Sequence, residues 1–108
     1  MALQRKISSI HKRHKLSIIM PCHNEGHEIY RNLHETVKTM NELKNFNIDY
    51  EIILVDDGST DNTLKEAKLV KSNKIRIVSY KPNKGKGYAL KYGFQFAKGD
   101  LVTFVDSD

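Results

Sequence analysis

Short apolar runs alternate along this chain with longer stretches in which apolar residues recur every three or four positions. The apolar runs predict strands at residues 16–20, 50–55, 75–79 and 101–105. The amphipathic stretches predict helices at residues 26–43, 59–71 and 88–98. Strands that are apolar at successive positions are typical of a parallel sheet covered on both faces. The pattern therefore predicts an α/β fold with three layers, α/β/α, around a mostly parallel sheet.

Individual residues refine several of these boundaries. Ser59 or Thr60 is suited to cap the second helix, and Gly99 is suited to end the third. Asn45, Asn47 and Asp49 make residues 45–49 largely polar, which predicts a break between the first helix and the second strand. The last strand, which consists almost entirely of large apolar residues, is expected to be buried.

The length and composition limit the kinds of protein that this chain can be. A chain of 108 residues forms one domain or part of one. None of its apolar runs approaches the roughly 18 residues that a membrane-spanning helix needs, and residues 7–10 are too short for the apolar part of a signal peptide. Its one cysteine, Cys22, excludes an internal disulfide. These observations favour a cytoplasmic protein.

The net charge of +5 comes from the beginning of the chain. Residues 1–15 contain five basic side chains and no acidic one, whereas residues 16–108 contain as many acidic as basic side chains. We expect residues 1–15 to form a disordered, solvated arm and residues 16–108 to form the folded part. The alternative is that the arm attracts the protein to an anionic membrane surface. The neutral body argues against nucleic-acid binding.

Polar residues follow each of the predicted strands. These polar segments are residues 21–25, 56–61, 81–87 and 106–108. Because the carboxyl ends of parallel strands meet at one edge of the sheet, we expect the four segments to lie close together. Open α/β sheets bind their ligands at that edge, so a binding site is predicted there.

Asp106 and Asp108 are candidate metal ligands. Two carboxylates so near each other raise one another's pKa unless a cation neutralises them. A divalent metal with phosphate oxygens as further ligands would make the pair favourable. Asp-Ser-Asp is also a common turn sequence, so for the tripeptide alone the turn is the better explanation.

The other polar segments offer groups for the remainder of a nucleotide. Asp57 could accept hydrogen bonds from a base or ribose, and Glu25 could hold a ribose hydroxyl or a base. Lys86 lies in a glycine-rich loop before a predicted helix, where ammonium and amide groups could bind diphosphate oxygens. Structural roles compete with these, since Asp56 and Asp61 are well suited to a turn and a helix cap.

Five segments together resemble the family 2 glycosyltransferases of the GT-A fold, in particular the dolichyl- or polyprenyl-phosphate sugar transferases. These segments are residues 21–25 (PCHNE), 53–61 (ILVDDGSTD), 83–87 (NKGKG), 99–100 (GD) and 106–108 (DSD). The similarity covers residues 16–108 in the expected order. It implies the N-terminal half of a Rossmann-like GT-A domain that binds a nucleotide-diphosphate sugar.

The resemblance also implies contacts with the nucleoside. Pro21, His23 and Glu25 fall where that family grips the nucleoside, and Val55 and Asp57 fall on base and ribose contacts. Tyrosine is frequent in the family at the position of His23.

The last three residues look like the family's Asp-x-Asp motif. By this resemblance Asp106 and Asp108 hold Mg²⁺ or Mn²⁺ against the diphosphate, and Ser107 lies against the sugar nucleotide. The metal would act as a Lewis acid that stabilises the leaving group.

The implied reaction is transfer of a sugar, with inversion, from a UDP- or GDP-sugar to a polyprenyl or dolichyl phosphate or to a polysaccharide. In that family the domain continues past this motif, and the acceptor site and catalytic base lie there. We therefore expect this chain to be the donor-binding half, with weak or no activity alone. The alternatives are a catalytically inactive nucleotide-binding or interaction fragment, and a phosphoacceptor receiver module. The receiver is disfavoured because the third strand ends without an aspartate.

Overall fold

The computed structural model describes residues 13–107, so residues 1–12 and Asp108 lie outside the described part. This described part forms four strands and three α-helices, with a short 3-10 helix at Asn41–Phe46. In chain order they are β1 (His14–Cys22), α1 (Ile29–Met40), β2 (Ile48–Asp57), α2 (Thr63–Ala67), β3 (Ile75–Tyr80), α3 (Lys86–Phe94) and β4 (Leu101–Phe104). No helix within residues 13–107 is long and apolar enough to cross a bilayer.

The strands form one sheet in the order β3-β2-β1-β4, and every neighbouring pair is parallel. In this register Ile18 lies between Ile52 of β2 and Thr103 of β4. The predicted α/β class with a parallel sheet is therefore confirmed. A parallel sheet brings the carboxyl ends of all four strands to the same edge, which is the edge where the predicted polar segments begin.

Successive residues of the central strands fill opposite faces of the sheet. On one face, Ile18 and Ile52 pack with the apolar side of α1 and with Ala67 of α2. On the other face, Ile19, Ile53 and Val55 pack against α3. This alternation explains why the central parts of β1 and β2 are apolar at successive positions, because helices cover both of their faces.

Helix α3 approaches the sheet very closely at Gly93. A Cβ atom at this position would lie 2.7 Å from Cγ2 of Ile19 and 2.8 Å from Cγ2 of Val55. Both distances are shorter than carbon atoms tolerate without displacement, so the absence of a side chain sets the distance between α3 and the sheet.

The prediction that the last strand is buried is wrong. Leu101 is 50% exposed and Phe104 is 57% exposed. The reason is topological, because β4 pairs with β1 and forms the outer strand of the described sheet. The apolar composition correctly indicates a strand, but composition does not reveal which strand lies at the edge.

Several predicted boundaries also need correction. His14 and Lys15, assigned to the arm, begin β1, where they pair with the start of β2. A break was predicted at residues 45–49, but these residues include the end of the 3-10 helix and the start of β2. Helix α2 begins at Thr63, so neither Ser59 nor Thr60 caps it.

The third helix ends earlier than predicted. It ends at Phe94 and not at Gly99. The N–H of Gly99 instead donates to Oγ of Ser17 at 2.8 Å, and the N–H of Lys98 donates to the Glu51 carboxylate at 2.6 Å. These bonds attach the turn before β4 to the amino end of the sheet.

Candidate functional site

A cavity of about 480 Å³ opens at the carboxyl edge of the sheet. Its lining comes from the polar segments after all four strands: Pro21, Cys22, His23, Glu25, Asp57, Asn83, Gly85, Lys86, Asp106 and Ser107. Seven of the predicted site residues are in this lining. The structure therefore brings together side chains that are as much as 86 positions apart in the sequence.

Val55 is the described site residue that does not line the cavity. It has no exposed surface and packs beneath α3. Its side chain is used for the core, and the expected contact between Val55 and a base or ribose stays a prediction. Cys22 does line the cavity, and burial raises the pKa of its thiol, which makes it a neutral part of the wall.

The loop after β1 is attached to the loop after β2 by hydrogen bonds. The N–H of Asn24 donates to Oγ of Ser59 at 2.9 Å, and the N–H of Thr60 donates to Oδ1 of Asn24 at 2.8 Å. The N–H of Gly26 donates to the Asp61 carboxylate at 3.0 Å. Asp56 accepts from the N–H of Ser59 at 3.1 Å. Asp56 and Asp61 therefore serve structural roles, as the turn interpretation predicts.

Asp57 has a role that the sequence did not predict. Oδ1 accepts from the hydroxyl of Tyr80 at 2.5 Å and from the N–H of Lys84 at 2.9 Å. Oδ2 accepts from Nδ2 of Asn83 at 2.8 Å and from the N–H of Gly85 at 3.0 Å. Four donors surround this buried carboxylate. Burial, followed by the hydrogen bond to Asp57, raises the pKa of Tyr80.

These bonds make Asp57 the anchor of the loop at residues 81–87. Protein donors occupy four acceptor positions of its carboxylate, and the expected contact with base or ribose stays a prediction. Gly58 lets this loop pack closely against the end of β2. Its φ is +64°, and a Cβ atom at this position would collide with the backbone N of Asn83. Tyr80 and Asn83 hold Asp57 in this role, which the sequence did not predict for either residue.

His23 is held beside Pro21 at the mouth of the cavity. Its Nδ1 lies 2.8 Å from the carbonyl oxygen of Asp57, so the tautomer with a proton on Nδ1 donates there. Its backbone N–H donates to Oε2 of Glu25 at 3.0 Å. The ring is therefore fixed while its side chain stays exposed, which makes a flat surface available in the cavity.

Glu25 contacts Ser107 across the cavity. The Ser107 hydroxyl donates to the Glu25 carboxylate, with oxygen separations of 2.6 and 2.7 Å. On the other side, Nδ2 of Asn32 donates to the Ser107 carbonyl at 2.6 Å. Asn32 was not predicted from the sequence. The sequence carried no signal for this contact, because Glu25 precedes helix α1 and Asn32 lies within it.

Lys86 and Asp106 form an ion pair at the entrance of the cavity. Nζ of Lys86 lies 2.5 Å from Oδ1 of Asp106, and both side chains are 61% exposed. Lys86 is the first residue of α3, so its ammonium group lies beside the amino end of that helix. The entrance therefore concentrates donors that suit an anion.

The described residues do not include a complete metal site. Within residues 13–107, no three His, Cys, Asp or Glu side chains come together as metal ligands. Asp108 lies outside the described residues, so its role stays a prediction. Asp106 suits one position in such a site, because its exposed carboxylate already holds a cation, the Lys86 ammonium. Carboxylate oxygens are ligands that Mg²⁺ and Mn²⁺ prefer.

Comparison with known sequences agrees with the family resemblance seen in the motifs. The model of the family described as "Glycosyl transferase family 2" matches residues 17–108. The dolichyl-phosphate beta-glucosyltransferase of Dictyostelium discoideum is 39% identical over 102 residues, which cover 86% of this chain and 30% of that protein. The undecaprenyl-phosphate 4-deoxy-4-formamido-L-arabinose transferase of Proteus mirabilis is 36% identical over 105 residues, which cover 94% of this chain and 31% of that protein. The chain thus spans less than a third of the length of these relatives.

Solved structures show the same similarity. The mannosyltransferase PcManGT from Pyrobaculum calidifontis, in complex with GDP-Man and Mn²⁺, superposes with a TM-score of 0.72 at 25% identity, covering 89% of this chain and 28% of that one. The glucosyl-3-phosphoglycerate synthase from Mycobacterium tuberculosis, in complex with Mg²⁺ and UDP, gives a TM-score of 0.66 at 27% identity, covering 96% of this chain and 37% of that one.

Proposed function

This chain belongs to glycosyl transferase family 2, and from that premise we propose that it binds the donor of a sugar-transfer reaction. The donor is a UDP- or GDP-sugar, and the whole enzyme transfers its sugar to an acceptor. One observation carries the proposal: the polar segments after all four parallel strands line a single cavity of about 480 Å³. That volume is within the range of small-molecule sites.

The nucleoside is assigned to the side of the cavity that Pro21 and His23 form. The fixed imidazole of His23 and the apolar ring of Pro21 are suited to pack against a base. Glu25 lies next to them, but its carboxylate is used by Ser107 and by the N–H of His23. We therefore assign Glu25 first to shaping the site, and its expected contact with the ribose is the second role that we propose.

The diphosphate is assigned to Lys86 and the amino end of α3. An ammonium group and the first amides of a helix favour negative charge. Asp106 and Asp108, with Ser107 between them, would hold Mg²⁺ or Mn²⁺, as the Asp-x-Asp resemblance implies. When bound, the metal would neutralise charge that develops on the departing diphosphate. The relatives solved with Mn²⁺ or Mg²⁺ and a nucleotide support this assignment.

The acceptor of the whole enzyme is proposed to be a polyprenyl or dolichyl phosphate, with a polysaccharide as the alternative. The names of the curated relatives support a lipid phosphate. Inversion at the anomeric carbon follows from the resemblance. A cytoplasmic protein that touches the membrane surface through its basic arm would meet such an acceptor.

The proposal is tested by calorimetric titration of the chain with UDP-glucose and GDP-mannose, with and without Mn²⁺. We expect one nucleotide sugar to bind, more tightly when the metal is present. Replacing Lys86 by Met should weaken donor binding about tenfold or more, because a charge-assisted hydrogen bond is lost. Lys91→Met, on the same helix, is the matched control and should bind like the wild type. Binding of neither nucleotide would instead favour the alternative of an interaction fragment.

A further inference from the structure

The segment of residues 105–107 leaves the sheet soon after β4 ends at Phe104. The N–H of Val105 donates to the carbonyl of Ile19 at 3.0 Å. Beyond Val105, the contacts found within the described residues come from side chains. Lys86 contacts Asp106, whereas Glu25 and Asn32 contact Ser107. The direction in which Asp106 faces therefore depends on these side-chain contacts.

The two groups of contacts differ in strength. The Lys86–Asp106 pair is largely exposed, and exposed ion pairs contribute little rigidity because water and salt screen them. Ser107 is only 3% exposed, and both its hydroxyl and its carbonyl are engaged at 2.6 to 2.7 Å. Hydrogen bonds to buried groups are costly to leave unmade. The contacts at Ser107 are therefore the ones that fix the segment.

Both partners of Ser107 are fixed to helix α1. The carbonyl of Glu25 accepts from the N–H of Glu28 at 2.9 Å and from the N–H of Ile29 at 2.8 Å, which joins Glu25 to the beginning of the helix. Ile29 and Leu33, on either side of Asn32, have no exposed surface. The amide of Asn32 thus projects from a helix that the core holds in place, which suits it to orient a site.

We infer that Asn32 is a positioning residue, which together with Glu25 fixes Ser107 and so orients Asp106 toward the donor. The inference rests on the proposed function, which supplies the metal that Asp106 would bind. Side chains that orient metal ligands typically change metal affinity by about 10- to 100-fold when they are removed. Asn32 has this role without touching donor or metal.

The test compares Asn32→Leu and Asn32→Gln with Thr39→Ala, an exposed position on the same helix. Leu removes the donor N–H at similar size and has the better helix propensity, so the fold should persist. Two quantities are measured: the NMR order parameter of the Ser107 backbone amide, and the gain in donor affinity that Mn²⁺ produces. For Asn32→Leu we expect the order parameter to fall from about 0.85, typical of rigid backbone, to below about 0.6, and the gain to be about tenfold smaller, with metal-free donor affinity unchanged. Asn32→Gln should recover part of both, and Thr39→Ala should match the wild type.

The outcomes separate the inference from the proposed function. An unchanged order parameter at Ser107, or a lower one with an unchanged Mn²⁺ gain, overturns the positioning role. Equal loss of donor affinity with and without Mn²⁺ also overturns it, because that is the result of a merely structural residue. If the wild type itself shows no Mn²⁺ gain, the metal part of the proposed function fails, and the order parameter of Ser107 still decides whether Asn32 holds the segment.

Discussion

At the scale of single residues, Asp57 shows how a motif residue can act on the site through its neighbours. Its carboxylate accepts from two side chains and two backbone amides of one loop and its preceding strand. That loop carries Lys86 into the cavity. Asp57 therefore shapes the entrance for an anion, although it is itself an anion.

Replacing Asp57 by Asn should destabilise the protein by about 3 kcal/mol, because an NH₂ group would then face donors that now share a charged acceptor. The measurement is the free energy of unfolding in urea. Asp56→Asn is the matched control at the adjacent position, where the remaining oxygen can still accept from the N–H of Ser59. Its loss should be about 1 kcal/mol or less. Equal losses for both variants would contradict the anchoring role of Asp57.

At the scale of elements, α3 is placed by two features of different kinds. The loop anchored on Asp57 fixes where the helix begins. The close approach at Gly93 fixes how near the helix lies to the sheet. Together they determine where Lys86 lies relative to Asp106, so the geometry of the entrance depends on packing about two turns away.

Gly93→Ala should therefore destabilise the protein by about 1 to 3 kcal/mol, although alanine is the better helix former. The added methyl group would displace α3 from Ile19 and Val55. Gly87→Ala, in the first turn of the same helix, is the matched control, since nothing lies within 4 Å of its added carbon. Thermal and urea unfolding compare the two. A neutral Gly93→Ala would show that α3 can move outward freely.

At the scale of the whole molecule, the two ends of the sheet differ in chemistry. The carboxyl end opens into the polar cavity, whereas the amino end is closed by hydrogen bonds around Glu51. Burial alone would raise the pKa of Glu51, but hydrogen bonds from Ser17 and from the N–H of Lys98 outweigh it and hold that pKa below its usual range. Glu51 therefore links β1, β2 and the turn before β4.

A lowered pKa in the folded state makes stability depend on pH in one direction. The contribution of Glu51 is complete above its unfolded pKa, about 4.3, and is lost as the pH falls through the lower folded value. We expect Glu51→Gln to reduce the fall in unfolding free energy between about pH 5 and pH 3. Glu42→Gln, on an exposed site, should leave the fall unchanged. Equal pH profiles for wild type and Glu51→Gln would contradict this account.

The sequence was sufficient to predict the sheet, because β1 and β2 contain continuous apolar runs and each strand is followed by polar residues. It could not predict the exposure of β4, which depends on strand order. The role of Asp57 also stayed hidden, since its donors come from positions 23 to 28 residues later. Asn32 is only one more polar position on an amphipathic helix until Ser107 is placed against it.

The Lys86–Asp106 contact has a consequence for how donor binding responds to ionic strength. A diphosphate that reaches Lys86 must compete with Asp106 for the same ammonium group. Dissolved ions weaken both contacts, because both involve exposed charges. Added salt thus reduces the attraction and the competition together. Binding through this entrance should vary less with ionic strength than the charge of a diphosphate alone would suggest.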